Sequence, residues 1–105
     1  MTNAAKVVIT PTVGRMVHYW PDKSEHIDHN DGQPLSGQIA AVNEDGTVNL
    51  QVLDARGCSR SQVRVILVQD GDPKPTHTYC EWMAFQKGQA AKTEALEAAA
   101  SDKSA

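Results

Sequence analysis

A mainly all-β fold, rolled into a small five-stranded barrel with an arm at each end, is what three observations predict. Apolar residues between Thr12 and Met83 recur with a period of two, the repeat of a strand, rather than 3.6. Acidic turns with glycine punctuate those runs: Asn43-Glu44-Asp45-Gly46, Asp54-Ala55-Arg56-Gly57 and Asp70-Gly71-Asp72-Pro73. Near Phe85 the composition changes to Ala, Lys, Glu, Gln and Ser, with Leu96 the one large aliphatic residue that follows. The chain therefore divides into an N-terminal arm over 1–11, a barrel over 12–84 and an Ala-rich helical or flexible tail over 85–105.

The first strand, Val13 to Trp20, is β-rich but amphipathic on neither face, so it should be covered on both sides. Pro21 to Pro34 has no apolar residue except Ile27 and reads as a long exposed loop, the kind that is functional or mobile. Ser36 to Val42 shifts its apolar phase at Ala40-Ala41, the mark of a bulge or bend. Thr47 to Val52 alternates cleanly, with Val48, Leu50 and Val52 on one face. Gln62 to Val68 places Val63, Val65 and Leu67 inward and Arg64 outward, and Thr76 to Met83 supplies the last strand.

Five short strands cannot bury much as an open sheet. Rolling the sheet into a barrel of the SH3 or Tudor kind makes one core and reduces exposed edges. The expected inward set is Val13, Val17, Ile39, Val42, Val48, Leu50, Val52, Val63, Val65, Leu67 and Trp82. That core is thin, so a partner or self-association should add stability. Gln86 to Ala100 favours helix by propensity but lacks a large apolar stripe, and a lone helix of that length is marginal in water. It should be a frayed tail or an arm that orders on a partner.

Size and charge exclude several functions. With 105 residues the chain has no room for a second, cofactor-carrying domain. Mean hydropathy is −0.45, and no apolar run approaches the roughly 20 residues of a membrane helix. Met1 to Lys6 lacks the layout of a secretory signal, so a reducing cytoplasm is the default. The formal net charge is −3, and between Thr12 and Met83 six Lys and Arg face ten Asp and Glu. A nucleic-acid duplex is therefore not an expected partner. Cys58 and Cys80 are too few for a disulfide scaffold and read as buried thiols, able to pair only if their Cα atoms approach to roughly 4.4–6.8 Å.

Catalytic and metal chemistry is also not expected. His26-Ile27-Asp28-His29-Asn30-Asp31 offers nitrogen and oxygen ligands, but its spacing matches no zinc or non-haem iron motif. Ser24, Ser36, Ser59, Ser61 and the two cysteines lack a nucleophile context, His18 and His77 lack an orienting partner, and no glycine-rich phosphate loop is present. No cofactor is expected.

Binding is better supported. Arg56, Arg60 and Arg64 gather around one turn and the following strand and could hold a single anionic group. Four of the five aromatic residues fall in His18-Tyr19-Trp20-Pro21 and Tyr79-Cys80-Glu81-Trp82, and Phe85 follows at once. If the first and last strands pair, these rings meet at one end of the barrel. Tyr19, Trp20, Tyr79, Trp82 and Phe85 are then protein anchors, since such rings join large contact area to a polar tip. Alternatively they plug the barrel end.

Val13-Gly14-Arg15-Met16-Val17-His18-Tyr19-Trp20, Ala41-Val42 before the Asp45-Gly46 turn, Val48-Asn49-Leu50-Gln51-Val52 and Tyr79-Cys80-Glu81-Trp82-Met83, in this order, resemble a group of small proteins of tailed bacteriophages and prophages. The likeness covers residues 12–83. It implies a phage origin, a compact β fold and no catalytic residue set. The expected function is that of a non-enzymatic phage protein that binds other phage structural proteins or itself. It would be a virion accessory, such as a decoration, cement or tail-associated subunit. The alternative is an early anti-defence protein that sequesters a nucleotide signal or inhibits a host protein. A Tudor-like aromatic cage for a cationic peptide is a third reading. The expected location is the virion or the host bacterial cytoplasm.

Overall fold

The computed structural model of the protein describes residues 8–103. The first seven residues of the expected arm lie outside them, as do the last two of the tail. The described chain is mainly β: strands β1 (Met16–Trp20), β2 (Leu35–Val42), β3 (Val48–Leu53), β4 (Ser59–Val65), β5 (Leu67–Val68) and β6 (Tyr79–Glu81), then helix α1 (Ala84–Lys103). They form one sheet in the order β4-β3-β2-β1-β6-β5, antiparallel throughout except for β5 beside β6.

The order itself forces the sheet to curl. β4 and β5 lie at opposite edges, yet only Ile66 separates them in sequence. Two Cα–Cα steps span at most roughly 7.6 Å. The two edges must therefore approach each other, and the sheet becomes a half-barrel. The Cys80 N–H donates to the Ile66 carbonyl at 2.8 Å and ties this corner to β6.

The same corner corrects the strand count to six. The stretch read as one strand over 62–68 begins earlier, at Ser59, and is cut at Ile66, where the chain leaves one edge and joins the other. A bulge just before the cut reverses Val63. Leu50 pairs with Gln62 and Val48 with Val65, so Val63 and Arg64 share the place opposite Asn49. Arg64 takes φ 54°, its N–H donates to Asn49 Oδ1 at 3.0 Å, and Asn43 Nδ2 donates to the same oxygen at 3.0 Å. Val65 returns to the core, whereas Val63 is 64% exposed instead of inward.

The other expected bulge is present, between Ile39 and Ala41 of β2. Val13 does not enter the core, because Gly14 turns the chain at φ 96° and the strand starts only at Met16. Val42 pairs with buried Val48 but sits at the rim beside the hairpin turn, still exposed. The core comprises Ile9, Val17, Tyr19, Leu35, Ile39, Val48, Leu50, Val52, Val65, Cys80 and Trp82, with Leu67, Ile27 and Ala90 packed against it. Ile9 joins through the Gln69 side chain, which bonds both its N–H and its carbonyl and also accepts from Trp82 Nε1 at 3.1 Å. Ile27 pins the loop over 21–34, and the Ala55 N–H donates to the Asp28 carbonyl at 2.7 Å.

Candidate binding face

The first and last long strands of the expected barrel do pair. His18 stands opposite Glu81, Tyr19 opposite Cys80 and Trp20 opposite Tyr79. Side chains alternate across a strand, so this register splits the aromatic cluster between two faces. Tyr19 and Cys80 point inward and are fully buried, while His18, Trp20, Tyr79 and Glu81 share the outer face, half-buried.

The outer row is held in place. Trp20 Nε1 donates to Glu81 Oε2 at 2.7 Å, and Lys74 Nζ lies 3.6 Å from Glu81 Oε1. The Trp20 ring meets His29 edge-on, with centroids 6.4 Å apart and planes at 87°. Pro21, Lys23, Pro75 and His77 complete a shallow depression around Trp20 and Tyr79. The sequence marked His77 only as a base without an orienting partner and did not single out Lys74 or Pro75; Pro73-Lys74-Pro75, rigid and next to the last strand, was the available signal.

Beneath this face the polar contacts are complete. The Tyr19 hydroxyl donates to the Glu25 carboxylate, 2.9–3.0 Å from its oxygens, and Thr78 Oγ1 donates to the same group. The Asp22 N–H donates to Thr78 Oγ1 at 3.2 Å. Burial first, and then the Glu25 carboxylate, push the Tyr19 phenol above its ordinary range. Burial, with a smaller contribution from Glu81, pushes the Cys80 thiol up to about 12. Among the described residues, every buried side-chain N and O has a hydrogen-bond partner.

Of the five expected anchors, the structure leaves three accessible. Trp20 and Tyr79 lie together on the outer face. Phe85, 72% exposed, opens α1 and is no part of that row. Tyr19 and Trp82 belong to the core, so they plug the barrel rather than touch a partner, and Arg15 covers the Trp82 ring at 5.9 Å.

The three arginines are each next to a carboxylate: Arg56 is 4.0 Å from Asp28, Arg60 3.9 Å from Asp54 and Arg64 3.6 Å from Asp45. Asp54 is buried and accepts the N–H groups of Arg56 and Cys58, both at 2.9 Å, so its first task is to close the turn. An incoming anion would compete with these carboxylates. Both cysteines are free thiols; Cys80 is buried as expected, but Cys58 is exposed, because it follows the Gly57 turn at the sheet edge. His29 Nε2 bonds the Gln33 carbonyl, and among the described residues no three His, Cys, Asp or Glu side chains converge on a metal position.

No protein family, curated protein or solved structure matches this chain.

Proposed function

We propose that the chain is a non-enzymatic phage protein that acts by binding other proteins, a virion accessory subunit built on a barrel of the SH3 or Tudor kind. The observation that carries the binding reading is the Trp20–Tyr79 pair. Two aromatic residues stand side by side on an outer face, backed by a fully bonded layer and flanked by Pro21 and Pro75. Rigid aromatic area with polar rims is what protein contacts are made of. The phage assignment rests on the likeness of the three strand motifs.

The state of the candidate nucleophiles and bases supports a non-catalytic role. The Cys80 thiol is buried and stays protonated at neutral pH, and His77 Nδ1 is occupied with the Thr78 carbonyl at 3.2 Å. The carboxylates beside all three arginines favour protein binding over capture of a nucleotide.

The test is to purify phage particles and count copies of the chain. Stoichiometric incorporation is the expected result, with loss of incorporation for Trp20→Ala/Tyr79→Ala that still folds. Particles without the chain would remove the virion role, and full incorporation of the double variant would remove the face.

A further inference from the structure

Strand β4 ends the sheet on the side away from the Trp20–Tyr79 pair, and among the described residues only β3 pairs with it. Ser59, Arg60, Ser61, Val63 and Arg64 are all exposed. The hairpin fixes which backbone groups are left open. The Asp54 N–H donates to the Cys58 carbonyl at 2.9 Å. Hydrogen-bonded pairs then recur at every second position, Val52 with Arg60 and Leu50 with Gln62. Ser59 and Ser61, opposite Leu53 and Gln51, turn their N–H and C=O groups away from β3. Such a row of open backbone groups is a template for one more strand. The opposite edge, β5, is Leu67–Val68 alone and too short to serve.

The side chains of β4 define what fits. Arg60 lies 3.9 Å from Asp54 and Arg64 3.6 Å from Asp45, so neither cation calls for an acidic strand. The rest of the edge, Ser59, Ser61, Gln62 and Val63, is neutral and matches a neutral strand of the same kind. Charge also selects a register for an antiparallel copy. Outward-turned residues must face each other, so a two-fold axis can pass at Arg60, Ser61 or Gln62. An axis at Arg60 sets that residue against itself, and an axis at Gln62 brings Arg60 level with Arg64. Like charges directly opposite are destabilising. An axis at Ser61 avoids both. It places Arg60 opposite Gln62, whose amide oxygen accepts from the guanidinium, and Ser61 opposite Ser61.

We infer that β4 pairs antiparallel with β4 of a second copy about a two-fold axis at Ser61, joining two six-stranded sheets into one. Each Ser61 exchanges its N–H and C=O with Ser61 of the second copy. Val63, 64% exposed in the single chain, comes opposite Ser59 of the second copy. The contact is isologous and closes the assembly at two. The Trp20–Tyr79 faces of both copies stay open, since they lie on β1 and β6.

The full-length chain is measured by sedimentation equilibrium, with a mass twice 11.4 kDa expected. Ser61→Pro removes the central donor, which faces away from β3 in a place where edge strands tolerate proline. Its dimer should dissociate about 10-fold more readily than the wild type. Gln62→Glu sets a carboxylate opposite Arg60 of the second copy and should tighten the dimer about 5-fold, whereas Gln62→Lys should weaken it by a similar factor. In a Cys58→Ala background, Ser61→Cys should form a disulfide between copies on mild oxidation, because hydrogen-bonded partners have Cα atoms about 5.5 Å apart. Circular dichroism checks the fold of each variant; if Ser61→Pro unfolds, the Gln62 pair and the cross-link decide. Trp20→Ala/Tyr79→Ala should dimerise as the wild type does, which separates this contact from that face. A wild-type chain that stays at 11.4 kDa would overturn the inference and leave the edge to a strand of another protein. A dimer indifferent to a folded Ser61→Pro, equal affinities for the two Gln62 variants, or a missing cross-link would each overturn it as well.

Discussion

Tyr19 combines two duties in one side chain. Its ring fills the core at 0% exposure, while its hydroxyl reaches the Glu25 carboxylate and so fastens the loop over 21–34 to β1. Tyr19→Phe keeps the ring and deletes the donor to a charged group, an expected loss of about 1.5–3 kcal/mol of unfolding free energy in a urea titration. An unchanged midpoint would mean that Glu25 does not hold the loop. The same group, together with Cys80, sets the alkaline limit. The unfolded chain releases the thiol proton near 9.0 and the phenol proton near 10.0, whereas the folded protein keeps both to higher pH. Stability is therefore unaffected by these groups below pH 9 and falls above it, by up to about 1.4 kcal/mol per pH unit for each group while only the unfolded state has ionised. Cys80→Ala should flatten the onset of that decline between pH 9 and 10, read from unfolding midpoints across the range. At this scale the sequence identified the aromatic residues that matter but not their roles. Trp20 and Tyr19 are neighbours of similar chemistry, and only the strand's alternation sends one to the surface and the other to the core.

Among the elements, β4 departs most from its sequence pattern. Val63, Val65 and Leu67 alternate without a visible break, so nothing in the pattern announces the bulge that exposes Val63. Ala40-Ala41 announced its own bulge, because there the apolar phase itself changes. The difference is where the extra residue is accommodated: β4 places it at a polar residue, Arg64, held at φ 54° by the Asn49 side chain. Asn49→Ala removes the acceptor shared by the Arg64 N–H and Asn43, and is expected to cost about 1–2 kcal/mol in denaturant unfolding. Arg64→Gly relaxes the left-handed backbone and gives up only an exposed ion pair, so it should be neutral or stabilising by up to about 1 kcal/mol. A strongly destabilised glycine variant would show that the guanidinium, rather than the backbone turn, matters at this bulge.

For the whole molecule, the sheet and the helix have separable roles. Of the helix side chains described, Ala90 alone packs against the core, and Gln86 Nε2 donates to the Met16 carbonyl at 2.8 Å. Ending the chain after Thr93 keeps both contacts. Such a chain should unfold within about 0.5 kcal/mol of the full-length chain, since both of these described contacts between helix and sheet precede the cut. A larger loss in a urea titration would show that the helix beyond Thr93 supports the core.

What the sequence by itself determined is the class of structure. A two-residue apolar repeat, glycine turns and an Ala-rich end dictate strands followed by helix, because these are local preferences of backbone and side chain. Only the tertiary structure decided which aromatic residues face outward, that three arginines are matched by carboxylates, and that the chain changes sheet edge at Ile66. Those outcomes depend on pairings between residues as many as about 60 positions apart, and register across such distances is set by how the curled sheet fills its interior.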